Sequence, residues 1–187
     1  MLGRLLSVPA LERPDLLAPP VVRAVEAWQE RGPVPVEDVQ VAEIDPDLAD
    51  TSQFCAAYEV KPEESANCVI VMTRRGKERR LVACVVLATT RADVNGLVRR
   101  HVDARKATFA PMDVAVAQTG MEYGGITPIG LPGHWPLLVD AAVAAAPHVV
   151  VGSGLRRSKL ILPGAALAAL PVAQVIVGVG VGVPPTP

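Results

Sequence analysis

Aromatic side chains are nearly missing from this sequence: two Trp, two Tyr and two Phe in 187 residues, against a hydrophobic content of 50%. Large rings therefore cannot build the interior. Val, Ala and Leu must, and they suit the close-packed layers of an α/β or α+β domain. Cysteine is equally sparse. Three residues, an odd number, point to reduced thiols and a cytoplasmic protein rather than to a disulfide framework. Cys68 and Cys84 fall in apolar strands and Cys55 in a short helix, where each reads as core. No long hydrophobic run is present. The C-terminal "VAQVIVGVGVGV" falls short of the roughly 20 residues of a membrane span and is broken by glycine. The start, "MLGRLLSVPALERP", meets charge and proline too early for a signal peptide. His101, His134 and His148 lack ligand spacing with Cys or carboxylates, so neither a metal nor another cofactor is expected. No G-x-S-x-G elbow, P-loop or helix-opening G-x-G-x-x-G occurs. Asp113 and Glu122, separated by most of one segment, are a weak pair for acid–base chemistry.

What is present is first a charge asymmetry hidden under a net charge of −1. Residues 1–64 hold 13 Asp/Glu and 5 Lys/Arg, whereas residues 65–187 hold 6 and 13. The positive charge is clustered in "RRGKERR" (74–80), "RRHVDARK" (99–106) and "RRSK" (156–159). Together these would attract a polyanion such as RNA; singly, each is also what a solvated turn or helix face looks like.

Periodicity supplies the elements. "PPVVRAVEAWQERG" reads as a helix with Val21, Val22, Val25 and Trp28 on one face and Gly32 as its stop. "DVQVAEI" reads as a strand and "DTSQFCAAYEV" as a short capped helix. "NCVIVMT" and "RLVACVVLAT" form a hairpin buried on both faces. "DVNGLVRRHV" has helical spacing, and "PMDVAVAQT" is a short helix with Pro111 at its start. Apolar "PLLVDAAV", strands "HVVVGSG" and "KLILPG", helix "GAALAAL" and strand "AQVIVGV" follow. The fold class expected is α/β (α+β): a mixed, mostly antiparallel curved sheet or small barrel surrounded by helices. Residues 1–17 read as a leader, 18–183 as a single domain and 184–187 as a tail.

Glycine and proline concentrate in "YGGITPIGLPG" (123–133), four glycines and two prolines in eleven positions. Such a loop is stiff and nearly free of side chains. A tight connection between strands would explain it, but "QTGMEYGGITPIGLP" also resembles the signature of the YbaK-like aminoacyl-tRNA deacylases, related to the editing domain of bacterial prolyl-tRNA synthetase. Thr119, Gly120, Gly124, Gly125, Ile126, Thr127, Pro128 and Gly130 fill the family's T-G-x-x-x-G-G-[IV]-[ST]-P-[FIL]-G run. The early helix, the central hairpin and the later glycine turn at Ser153 and Gly154 agree in order, so the resemblance spans about residues 45–178.

That resemblance implies a curved editing-domain fold and a freestanding hydrolase acting in trans on the ester of a mischarged tRNA. It implies a catalytic loop of Gly124, Gly125, Ile126, Thr127 and Pro128 that works through its backbone, with substrate contacts from Asn67, Thr119, Gly120, Ser153 and Gly154. The partner implied is tRNA, with a synthetase as a further candidate, and neither DNA nor a membrane. Arg74, Arg75, Arg105 and Lys106 are the candidate tRNA contacts. The sequence departs from the pattern at one place: family members carry a Lys at the head of the first hairpin strand, and here Asn67 stands there. Either the phosphate contact has moved to Arg74, Arg75, Arg105 or Lys106, or the substrate differs, or catalysis is weak. The alternative to an enzyme is thus a YbaK-like module that binds tRNA, a synthetase or an amino-acid-like ligand.

Overall fold

The computed structural model of the chain describes residues 2–32 and 34–182, so the 184–187 tail lies outside them. The segment 1–17 is not set apart as a leader. Strand β1 (Ser7–Pro9) pairs antiparallel with β2 (Gln40–Glu43), and Leu5, Ala10, Leu16 and Leu17 are buried. These apolar residues follow no regular period because two short 3-10 turns, Ala10–Glu12 and Pro14–Leu16, carry them inward.

Helix α1 (Pro19–Arg31) starts on two prolines, buries Val21, Val25 and Trp28, and ends at Gly32. Helix α2 (Thr51–Tyr58) has Asp50 at its N-cap position and buries Phe54 completely. The central hairpin, β3 (Ala66–Arg75) and β4 (Glu78–Leu87), is longer than its apolar runs: register continues from Ala66↔Leu87 to Arg75↔Glu78. Period-two alternation sends Ile70, Ala83 and Val85 into the main core and Val71, Val82, Cys84 and Val86 into a second core on the opposite face. The hairpin is therefore buried on both faces.

Strand β5 (Thr90–Ala92) precedes a π-turn, Val94–Val98, that runs into α3 (Arg99–His101). Then come β6 (Lys106–Phe109), α4 (Met112–Thr119), β7 (Leu137–Asp140), α5 (Ala141–Ala144), β8 (Val149–Gly152), β9 (Ser158–Leu162), α6 (Gly164–Ala168), β10 (Ala173–Ile176) and β11 (Gly180–Gly182). Three sheets result, in the orders β1-β2-β9-β8, β10-β7-β4-β3-β6 and β11-β5. Only β7 pairs in parallel, with β4 and β10; the other strand pairs are antiparallel. A bridge between Ser65 and Val150 joins the first two sheets where β3 begins. This is the mixed, mostly antiparallel curved sheet with helices around it, left open rather than closed into a barrel.

Leu16 is 1% exposed in the main core. Leu16→Ala is expected to cost about 2–5 kcal/mol, as deletion of a buried leucine does. Chemical denaturation checks this; a change below about 0.5 kcal/mol would mean that residues 1–17 are dispensable to the body.

Candidate active site

The glycine-rich loop joins α4 to β7. Helix α4 ends at Gly120 in the left-handed region (φ 67), and the chain turns again on Gly124 at φ 83, a conformation costly for any residue with a Cβ. From behind, the loop is held by the turn after β8. Gly154 N–H donates to Gly125 O at 2.7 Å, Glu122 N–H donates to Gly154 O at 2.8 Å, and Gly125 N–H donates to Glu122 O at 2.9 Å. Arg156 N–H donates to Glu122 Oε2 at 2.7 Å. The two backbones touch: a Cβ on Gly152 would come within 2.6 Å of Ile126 O, and one on Gly125 within 2.6 Å of Leu155 O.

In front of the loop opens a cavity of about 370 Å³. Gly124 and Ile126 line it from the loop, Asn67, Cys68, Val69 and Ile70 from β3, Thr51 and Phe54 from α2, and Lys159 from β9. Among the described residues the N–H groups of Gly124 and Ile126 donate to no protein acceptor. The loop thus presents two backbone donors without a protein acceptor beside a cavity, while Gly125 between them is engaged through both its N–H and its carbonyl.

The walls differ in chemistry. Thr51 Oγ1 donates to Asn67 Oδ1 at 2.7 Å, tying α2 to β3. Lys159 is 8% exposed, donates to Ala49 O at 3.1 Å and stands 5.2 Å from the centre of the Phe54 ring. Burial pulls its ammonium from 10.5 down to about 8, and nearby Arg156 pulls in the same direction. Arg156 covers the outer side of Gly124 and is fastened to Pro46 O at 3.1 Å and Asp50 Oδ1 at 3.5 Å. Burial raises the Cys55 thiol, raises the Cys68 thiol further, and pushes Cys84 up to about 12. All three are therefore protonated at neutral pH and unsuited to nucleophilic attack.

The structure brings Asn67, Gly124 and Ile126 to one cavity. It places the other residues singled out in the sequence around rather than in it. Gly125 is the hinge of the backbone contacts above. Thr127 is fully buried, with its N–H 3.5 Å from Met121 Sδ and its Oγ1 without a partner among the described residues. Pro128 lies in a separate apolar groove of about 480 Å³ with Trp28 and Trp135. Thr119 Oγ1 donates to Ala115 O at 2.8 Å and accepts from Met121 N–H, finishing α4. Ser153 is buried against Ser158, its Oγ 2.7 Å from Ser158 Oγ. Gly154 braces the loop and packs on Ala18 and Val21.

Arg74, Arg75, Arg105 and Lys106 gather at the far end of β3, all exposed. Arg74 stands in register between Arg79 of β4 and Lys106 of β6, and Arg105 N–H donates to Arg74 O at 3.0 Å. Arg75 pairs with Asp103. Strand β6 leads from Lys106 to Phe109, whose side chain lines the cavity, a path of about 10 Å. The "RRSK" cluster is elsewhere and divided: Lys159 lines the cavity and Arg156 stands against Gly124, whereas Arg157 donates to Asp15 O and Ser158 to Leu16 O. Lys159 and Arg156 are the site residues that composition concealed, read as a surface patch with their neighbours. The available signal was a lysine inside a strand that is otherwise Ser, Leu, Ile and Leu.

A family model described as aminoacyl-tRNA editing domain matches residues 45–170, and the chain belongs to that family. Among solved structures, it is similar to one described as a candidate trans-editing enzyme for prolyl tRNA synthetase (21% identity, TM-score 0.69, covering 86% of this chain and 97% of that one). A scaffold protein from computational epitope grafting matches equally (22%, TM-score 0.69, 86% and 97%), as does the hypothetical protein APE2540 (21%, TM-score 0.68, 81% and 96%). These likenesses show the editing-domain fold. Comparison with curated proteins finds no significant relative. No described helix is long and apolar enough to cross a membrane.

The buried ammonium of Lys159 has a consequence for stability. Its pKa of about 8 in the fold lies below its ordinary 10.5, so the unfolded chain holds more protons between those values and stability rises with pH across that window. Below pH 8 the penalty is fully present, on the order of 3 kcal/mol. Lys159→Met is expected to be more stable than wild type at pH 7, with the difference shrinking from pH 8 to 10.5. Paired denaturation curves at pH 7 and 10 test this, and a variant less stable at both would show the ammonium to be satisfied by the fold.

Proposed function

We propose that this protein is an aminoacyl-tRNA deacylase acting in trans in the cytoplasm, where it clears mischarged tRNA and works alongside an aminoacyl-tRNA synthetase. Water adds to the ester carbonyl, the bond to the ribose oxygen breaks, and a free amino acid and the terminal tRNA hydroxyl are released. The observation that carries this reading is the pair of unengaged N–H groups at Gly124 and Ile126, held by a stiff loop at the cavity wall. Donors fixed where negative charge develops stabilise the tetrahedral intermediate without reorganisation. Gly125, Thr127 and Pro128 hold the loop in shape, and Thr119, Gly120, Ser153 and Gly154 support it from behind. Asn67 contributes its amide to substrate binding.

The row Arg79–Arg74–Lys106 supports tRNA contact. Like charges opposite one another across strands repel, and a phosphate backbone relieves that repulsion. Arg75 and Arg105 flank the row. A binding module without catalysis is the second reading, favoured by the neutral Asn67 and its engagement with Thr51.

Ester loss from a panel of mischarged tRNAs separates the two. Gly124→Ala keeps the N–H, but its Cβ meets the Arg156 guanidinium and strains the turn at φ 83, so the donors move off their aim and the rate should fall on the order of 100- to 1,000-fold, the size of effect that loss of an oxyanion donor has. Gly76→Ala is the control, because Gly76 has a similar φ of 62 and open space around it; it carries the backbone strain alone. If both variants deacylate equally well, the loop is a connector.

The double variant Arg74→Glu/Lys106→Glu should weaken tRNA binding and flatten its dependence on salt, since each lost phosphate contact releases fewer counterions. Filter binding at several salt concentrations measures the slope. An unchanged slope would make the cluster solvated surface only.

A further inference from the structure

We infer that Lys159 is the ligand-binding cation of the cavity, taking an anionic oxygen of the bound molecule. The inference rests on the deacylase reading for the identity of the ligand, though not for the presence of the site. An ammonium has three donors. In this fold Lys159 uses one, to Ala49 O at 3.1 Å, and lies over the Phe54 ring. Among the described residues no carboxylate comes within ion-pair distance of it. The acid at the cavity mouth, Asp50, is taken by Arg156. A buried cation without a counter-ion costs stability, and methionine would fill the same apolar space without that cost. The remaining donors belong to a wall of an open cavity, opposite β3, where Asn67 offers only a neutral amide and Cys68 a protonated thiol. Among the described residues that line the cavity Lys159 is the one cation; Arg156 stands outside against Gly124, its guanidinium already engaged by Asp50 Oδ1 and Pro46 O.

Two parts of an aminoacyl-tRNA end carry such an oxygen: the phosphate of the terminal nucleotide and a carboxylate on the amino-acid side chain. Calorimetric titration with two pairs of probes distinguishes them. AMP against adenosine tests the phosphate, and glutamate α-amide against glutamine α-amide tests the side-chain carboxylate. Wild type should bind the anionic member of one pair more tightly, by about tenfold or more for a charge-assisted hydrogen bond. Lys159→Met should lose that preference and Lys159→Arg should keep most of it, with the neutral member bound alike by all three. No preference in either pair, or a preference that survives in Lys159→Met, overturns the inference. Melting curves on the same samples confirm that both variants are folded. If wild type hydrolyses no mischarged tRNA in the panel, the deacylase reading fails, while the AMP and glutamate comparisons still decide the role of Lys159.

Discussion

The contact between two stretches of bare backbone, residues 122–126 and 152–156, is the constraint on which the rest of the site depends. Three hydrogen bonds link them, two between main-chain groups and one from the Arg156 N–H to the Glu122 carboxylate. Glycines at 125 and 152 let them approach to a distance that a single Cβ would prevent. The contact lies where β8, the edge strand of one sheet, meets the start of β3 in the other, next to the Ser65–Val150 bridge. At such a seam a loop can leave backbone donors facing a cavity without stranding them in the core. Moving the turn by the width of a methyl group would shift the loop, the cavity mouth and the two sheets together.

Charge is arranged around this seam with equal economy. The acidic N-terminal third supplies the partners of the third basic cluster. Asp50 takes Arg156, the Asp15 carbonyl accepts from Arg157, and Arg13 is held by Asp15 and Glu43. None of these acids lies near Arg74, Arg105 and Lys106. The asymmetry along the sequence therefore becomes an asymmetry in space. One end of β3 borders the cavity, with Arg156 tied to Asp50 and Lys159 enclosed without a counter-ion; the other remains positive and exposed.

Much of this was legible in the residues. The hairpin, α1 and α2, and the order of later strands follow from strong periodicity, and the glycine loop from its composition. β1, β5, β6 and β11 were not visible: three of them span three residues each, and β6 exposes three of its four residues, whereas the equally short β2, β8 and β10 sit in longer apolar runs. Residues 1–17 looked peripheral because 3-10 turns bury Leu16 and Leu17 without a helical or strand period. Within the loop motif, contiguity in sequence concealed a division in space. Gly124 and Ile126 face the cavity, Thr127 is sealed in the core, and Pro128 belongs to the groove against α1. A backbone that reverses at Gly124 and is anchored at Gly125 must send successive residues to different surroundings.

On the proposed function, the same geometry would let the cavity carry Asn67 where the resemblance places a lysine and remain a coherent site. The reacting ester would be met by backbone donors, whose position depends on the glycine contacts and not on any neighbouring side chain. On the proposed function, selection of the ligand would fall to three walls from separate elements: β3 with Asn67, α2 with Thr51 and Phe54, and β9 with Lys159. A charge absent from β3 can be supplied from β9 because both strands border the same space. Moving the cation also changes its surroundings. At the head of β3 it would stand beside the α2 N-terminus and solvent, whereas on β9 it lies against an aromatic ring and under Ala49 O, with a lowered affinity for its proton. A cation so placed holds an anion more strongly than an exposed one, since little water competes. It also costs the empty protein more. On that reading the cavity trades stability in the free state for discrimination in the bound state.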